Sequence, residues 1–316
     1  MHFPKRILQP EKFGRVAVLM GGIGAEREIS LISGEAVLNA LLRSEVNAIA
    51  VDIGDHPLRQ LPEGKFDRVF NMIHGRGGED GVMQGALETL HLPYTGSKVL
   101  ASALTMDKLT TKLCWHGAAL PTPAWCLIAI EDDIDVCANR LGFPVIVKPA
   151  TEGSSIGMSK VENREALREA WKQASEYGAV FAESWIEGSE FTVGFLGEAP
   201  LPVIRLETPN VFYDYDAKYC AETTQYHCPS GLSEDLENKL KNLAMRASRL
   251  LGVSGWGRVD LFMDKEGQPW LIEINTIPGM TDHSLVPMAA QAAGLDFDGL
   301  VWRILETSLS EKRHEK

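Results

Sequence analysis

Three things are scarce in this chain: long apolar runs, closely spaced cysteines and net positive charge. The longest apolar run, "AWCLIAI", has about seven residues, far below the roughly 20 that a membrane-spanning helix needs. The beginning of the chain offers only "VAVLM" ahead of two glycines, too short for the core of a secretory signal. Five cysteines, at 114, 126, 137, 220 and 228, form no C-x-x-C pair. An odd, scattered set argues for reduced thiols in a cytoplasmic protein and against a disulfide framework. The eight histidines include no H-E-x-x-H, which sets zinc aside. A net charge of -12 and a pI near 5.2 disfavour nucleic acid and anionic membranes as partners. Any anionic ligand must therefore meet a local basic cluster. The phosphate-loop pattern G-x-x-x-x-G-K-[ST] is missing. So is an intact G-x-G-x-x-G, because Arg27 stands where its third glycine would be. A nicotinamide oxidoreductase is correspondingly disfavoured.

What is present is a 316-residue chain, 45% hydrophobic, enough for two or three domains. "RVAVLM", "NAIAVDIG" and "FDRVFNMIHG" read as strands, and helical patterns alternate with them. That order predicts a parallel sheet covered on both faces, ending near residue 105. Beyond two prolines at 121 and 123, "FPVIVKPATEGSSIGMSKV" reads as strand, glycine loop, strand. "REALREAWKQASEYG" reads as a helix, and "VFAESWIEGSEFTVGFLG" as two strands joined by a short turn at "EGS". A long polar loop follows, "ETPNVFYDYDAKYCAETTQYHCPSG". Next comes a helix capped by Ser233 and stopped at Gly252, then the strands "GRVDLFM" and "PWLIEIN".

Four places carry residues suited to chemistry. In "WLIEINTIPGM", Glu273 and Asn275 are two apart on a strand, so they share a side while Ile272 and Ile274 face away. "DKEGQP" is a hairpin turn signal, and pairing across it would bring Asp260 beside Glu273. Three oxygens from adjacent strands suit Mg²⁺, although polar residues on a solvent face would read the same. In "VIVKPATEGSSIGMS", a buried strand ends at Lys148 before a glycine loop. Such a loop cradles phosphates or merely serves a turn. Glu26, at a helix start, could simply complement the helix dipole. His74 ends a strand above a glycine turn, where open α/β sheets bind ligands, though a lone histidine there is also a common structural residue.

Taken in order, "GGIGAEREISLISG", "HGRGGEDGVMQGALE", "PYTGS", "ALTMDK", "VIVKPATEGSSIGMSKV", "EFTVGFL", "YDYDAKY", "GRVDLF" and "EINTIPGMTDHSLVPMAA" resemble the D-alanine–D-alanine ligases of the ATP-grasp superfamily, from about Val16 to Ala290. The resemblance implies a mixed α/β and α+β chain. A Rossmann-like N-terminal α/β domain (1–105) would be followed by a central ATP-grasp lobe (106–190) and a C-terminal lobe (191–316). It implies an ATP-dependent ligation of two D-alanines, for peptidoglycan precursors, through an acyl phosphate. It implies two Mg²⁺ or Mn²⁺ ions on Asp260, Glu273 and Asn275. Lys108 and Lys148 would hold the ATP phosphates, Glu183, Trp185 and Ile186 the adenine, and Glu190 the ribose. Glu26 would take the ammonium of the first D-alanine beside Ser154 and Tyr219, with Ile29 and His74 around its methyl. Arg258 and the Gly279 N–H would stabilise the tetrahedral oxyanion. Ser284 and Leu285 would receive the second carboxylate. Lys218 and Tyr219 would sit in a loop that closes over the site. A homodimer in the cytoplasm is expected.

One departure stands out. Several relatives place a lysine after the glutamate of the adenine pocket, and here that residue is Ser184. Residues 1–13, which extend beyond many relatives, carry no expected function. A D-alanyl-D-lactate ligase and other ATP-grasp carboxylate–amine ligases remain alternatives; Tyr219 in "DYDAKY" favours the dipeptide over the first, and "HSLVPMAA" and "AEREISL" argue against the second. An ATP-binding scaffold without turnover is a further alternative, disfavoured by the full set of phosphate and metal residues.

Overall fold

The structure is a computed structural model that describes residues 7–54, 61, 65–153, 155–208, 224–281 and 283–309. Its described strands form three sheets. The first is parallel, with β1 (Val16–Met20) between β2 (Ala48–Asp52) and β3 (Arg68–Asn71). All five residues of β1 are buried, as a central strand covered on both faces requires. The helix Arg27–Arg43 packs on β1 and β2.

The second sheet has four antiparallel strands, in the order β4 (Trp125–Ile128), β7 (Val180–Ser184), β5 (Val145–Pro149), β6 (Ser159–Val161). The third has five, in the order β10 (Gln225–His227), β9 (Ala199–Glu207), β8 (Gly188–Leu196), β11 (Trp256–Asp264), β12 (Pro269–Asn275). Helices Asp133–Leu141 and Arg164–Ser175 cover the second sheet, and Glu234–Leu250 covers the third. Asn163 and Ser233 cap the last two by accepting from Ala166 N and Leu236 N.

Two readings of the sequence need correction. β7 and β8 are the expected pair of strands around "EGS", but they do not pair with each other. β7 lies in the four-stranded sheet and β8 in the five-stranded one. The short connection thus crosses between sheets, and the division expected at residue 190 falls inside β8. The end of the "polar loop" also holds a strand, β10, whose Gln225, Tyr226 and His227 pair with Glu207, Leu206 and Arg205. Polar side chains at a sheet edge hid it.

Between the sheets runs a broken helix. Val99–Met106 stops at Asp107, whose extended backbone (ψ 100°) ends one helix and caps the next, Lys108–Gly117. Its Oδ1 accepts from Thr110 N at 2.8 Å. Lys108 and Lys112 thereby begin a rigid element and, four apart, share one face.

Candidate active site

The second and third sheets face each other across an open cleft. Lys148, at the end of β5, is buried and ion-paired with Glu183 at the end of β7. Glu183 also pairs with Lys112 at 2.6 Å. Burial pushes its carboxyl up, but the two lysines more than offset this and hold it below the ordinary carboxylate range. It is an anion locked between two cations, which the expectation of an adenine contact did not include.

Ser184, Trp185 and Ile186 continue the cleft wall and Glu190 of β8 reaches it. A cation does stand near Ser184. Lys160 lies opposite Ile146 in the β5–β6 register, with its ammonium 4.6 Å from the centroid of the Trp185 ring, within cation–π range.

The opposite wall bears the expected oxygens. Asp260 and Glu273 are direct partners across β11 and β12, and Asn275 stands opposite Arg258. The register slips between Asp260 and Leu261, because Leu261 pairs with Leu271. Ile272 is therefore the extra residue of a bulge, and it lines the cleft instead of facing away as simple alternation predicts. Bulges re-aim side chains in this way.

Asp260 is densely held. Arg258 donates to both carboxylate oxygens at 2.8 and 2.7 Å. Thr192 Oγ1 donates at 2.6 Å and Asn275 Nδ2 at 3.0 Å. Lys108 Nζ lies 3.3 Å from Glu273 Oε2 and donates to Glu152 O at 2.7 Å. Among the described residues no group of three His, Cys, Asp or Glu gathers as a metal cage. The two carboxylates and one amide instead lie side by side, with Arg258 and Lys108 as the cations that face them.

A second cavity adjoins the first and shares Lys108, Gly153 and Glu273 with it. Glu26, His74, Arg258 and Gly279 line it as expected. Glu26 fits between two glycines. A Cβ at Gly75 would lie 2.8 Å from Glu26 Oε2, and one at Gly153 would lie 3.2 Å away. His74 has both ring nitrogens engaged, Nδ1 with Ile277 O at 2.9 Å and Nε2 with Ser33 Oγ at 3.3 Å. A carbonyl only accepts, so Nδ1 carries the proton. Burial holds the ring pKa down, and this neutral histidine ties the end of β3 to the segment after β12.

Sequence reasoning missed Glu79. It accepts from Gly75 N at 2.7 Å and from Ile277 N at 3.1 Å, and it lines the same cavity. Burial and then the charge of Glu26 push its carboxyl up to about 8. The "GEDG" motif held it, with no spacing to single it out.

The remaining residues stand further off. Ile29 and Leu285 are buried in the fold, at 6% and 4% exposure. Ser284 Oγ accepts from Thr281 N at 2.9 Å ahead of the helix Leu285–Ala292. The described lining of the second cavity does not reach these three. Ser154, Lys218 and Tyr219 lie outside the described residues. No helix among the described residues is long and apolar enough to cross a membrane.

Two family models match the chain. One describes a D-Ala–D-Ala ligase N-terminus, at residues 53–97, and the other a D-Ala–D-Ala ligase C-terminus, at residues 115–306. The D-alanine–D-alanine ligase of Methylococcus capsulatus is 64% identical over 97% of this chain and 99% of its own length. That of Nitrosococcus oceani is 57% identical over 95% of each. Among solved structures, the D-alanine–D-alanine ligase of Bacillus anthracis superposes with a TM-score of 0.81 at 31% identity, covering 93% of this chain and 97% of that one. It has also been solved in complex with ATP. The VanG D-Ala:D-Ser ligase of Enterococcus faecalis gives 0.82 at 27% identity over 93% and 99%. Near-complete coverage in both directions, with TM-scores of 0.81 and 0.82, leaves one assignment: the chain belongs to the D-alanine–D-alanine ligase family and has its ATP-grasp fold.

Proposed function

We propose that this chain joins two molecules of D-alanine into D-alanyl-D-alanine, with ATP converted to ADP and phosphate, and so supplies peptidoglycan precursor synthesis. The observation that carries this reading is the meeting of the two cavities at Lys108, Gly153 and Glu273, in a chain 64% identical to a D-alanine–D-alanine ligase. A nucleotide in the first cavity would present its terminal phosphate to an amino acid in the second.

The chemistry asks mainly for positioning and charge neutralisation. A carboxylate becomes electrophilic once one oxygen is a phosphate leaving group. Lys108 and Lys148 offset the phosphate charge. Trp185 and Ile186 enclose the adenine beside Glu183, and Glu190 takes the ribose hydroxyls. Glu26 binds the ammonium of the first D-alanine, with Ser154 and Tyr219 completing the hydrogen-bonded group and Ile29 and His74 bordering the methyl. Arg258 and the Gly279 N–H stabilise the oxyanion formed when the second amine attacks. Ser284 and Leu285 receive the second carboxylate, and Lys218 helps close the site against water.

Asp260, Glu273 and Asn275 supply the hard oxygens that Mg²⁺ or Mn²⁺ takes, and two such ions would take over the charge neutralisation that Arg258 and Lys108 give the carboxylates here. Bound there, such ions neutralise and orient phosphate oxygens. In this reading 1–105 serves the first D-alanine, the four-stranded and five-stranded sheets grip ATP between them, and the protein works as a cytoplasmic homodimer.

The test is phosphate release by the purified chain with ATP and Mg²⁺, supplied with D-alanine, L-alanine, or D-alanine plus D-lactate, with products identified by mass. Dipeptide from D-alanine alone supports the proposal. Turnover only with a hydroxy acid or another amino acid overturns the second-subsite reading.

A further inference from the structure

Lys112 is a lysine with no solvent. It is 1% exposed, and it lines neither cavity. Its ammonium makes two contacts, 2.6 Å to Glu183 Oε2 and 2.6 Å to Thr122 Oγ1. Burying an ammonium is costly unless its partners are well placed, so this one marks a point where charge is needed.

What it faces explains the need. Glu183 presents its other oxygen, Oε1, to Lys148. Had Glu183 only Lys148 as partner, the two charges would cancel and the Lys148 ammonium would be held by the carboxylate. With Lys112 on the far oxygen, the three groups sum to one positive charge. The cation left uncompensated is the one that opens into the cleft.

The second contact links this triad to the opposite wall. Thr122 Oγ1 donates onward to Leu271 O at 2.9 Å, and Leu271 N donates to Pro121 O at 2.9 Å. Leu271 stands two residues before Glu273 on β12. A chain of polar contacts therefore runs from Lys148 on β5, through Glu183 on β7, Lys112 and Thr122, to the strand that carries Glu273.

We propose that Lys112 is a positioning residue for the nucleotide's phosphates: it neutralises Glu183 from behind, leaves the Lys148 charge available in the cleft, and through Thr122 fixes the Glu273 strand against the same carboxylate. This rests on the first cavity being the ATP site. It is independent of which amino acid is ligated.

The experiment uses the full chain. Binding of a non-hydrolysable ATP analogue with Mg²⁺, and of adenosine, is measured by calorimetry for wild type, Lys112→Met, Lys112→Arg and Thr122→Val. Lys112→Met should weaken the analogue at least tenfold and leave adenosine within twofold. Lys112→Arg should restore the analogue to within threefold of wild type. In steady state, KM for ATP should rise in Lys112→Met while KM for D-alanine holds. Equal weakening of analogue and adenosine, or unchanged analogue binding with only a lower melting temperature, overturns the proposal. If Lys112→Met does not fold, Thr122→Val decides: it should weaken the analogue about threefold and spare adenosine, and unchanged binding refutes the role. A chain that bound these ligands as expected yet made no dipeptide would refute the function proposed above and leave this inference standing.

Discussion

Glu79 and Arg258 are single side chains whose surroundings set measurable behaviour. The Glu79 carboxyl titrates near 8 in the folded chain, raised by burial and by Glu26, against about 4.3 in an unfolded one. Between those values the unfolded chain has released a proton that the folded chain still holds, so stability falls as pH rises through that window. Glu79→Gln removes this loss. In ligand-free urea unfolding at pH 5 and pH 8, the stability of the variant relative to wild type should rise by up to about 4 kcal/mol from the lower pH to the higher, the limit for one group over about three pH units. A difference that does not change with pH would refute the buried neutral carboxyl. For Arg258, the proposed oxyanion role predicts that Arg258→Ala lowers kcat at least tenfold with little change in ATP affinity. The bidentate pair with Asp260 adds a second outcome. Without Arg258 a buried carboxylate loses its main partner, at a cost of about 3–5 kcal/mol. The ligand-free variant should therefore melt lower, and ATP with Mg²⁺ should raise the melting of both proteins by similar amounts, as an unchanged affinity requires. Unchanged kcat would remove the catalytic role, and unchanged melting would remove the electrostatic one.

At the scale of elements, the break at Asp107 sets where Lys108 and Lys112 begin. Asp107→Ala removes the cap on Thr110 N and should cost about 1 kcal/mol, with KM for ATP rising severalfold because Lys108 no longer starts from a fixed turn. Both are read from urea midpoints and initial rates, and an unchanged KM would separate the cap from the site. This break could be read in part from the sequence: "LTMDKL" carries Asp ahead of a helical run. The β11–β12 hairpin was legible, because "DKEGQP" marks its turn, but its register was not: continued from Leu261 and Leu271 it would set Asp260 opposite Ile272, and the bulge brings Glu273 there instead. The bulge at Ile272 could not be read, since one extra residue leaves the alternation intact on either side. β9 was missed because Pro200 and Pro202 sit inside it, and prolines argue against a strand. The buried ties of Lys112 and Glu79 could not be read at all. Both contact residues tens to hundreds of positions away, Glu183 and Ile277, and only the folded chain joins them.

Over the whole molecule, the parallel sheet and the C-terminal lobe share one core. Val16, Val18 and Leu41 pack in the same cluster as Leu201, Trp256, Leu285 and Trp302. Residues before β1, which had no expected function, close that core. Phe13 is fully buried and meets the Trp302 ring edge-on at 5.0 Å. Arg68 Nε donates to Phe13 O at 2.5 Å, while Ile7 N donates to Glu306 Oε1 at 2.9 Å. Arg43 and Asp298 add an ion pair at 2.5 Å between the first and last described helices, but it is exposed and worth at most about 1 kcal/mol. The apolar contact should therefore dominate. Phe13→Ala should cost about 3–5 kcal/mol, and Arg43→Ala less than about 1 kcal/mol. Phe13 lines neither cavity, so kcat of Phe13→Ala should stay near wild type below the unfolding transition. A core that joins the two regions also predicts one cooperative urea transition, shifted as a whole in the variant. Two separate transitions, with only the earlier one moved, would mean that the N-terminal sheet holds its own core and that Phe13 serves it alone.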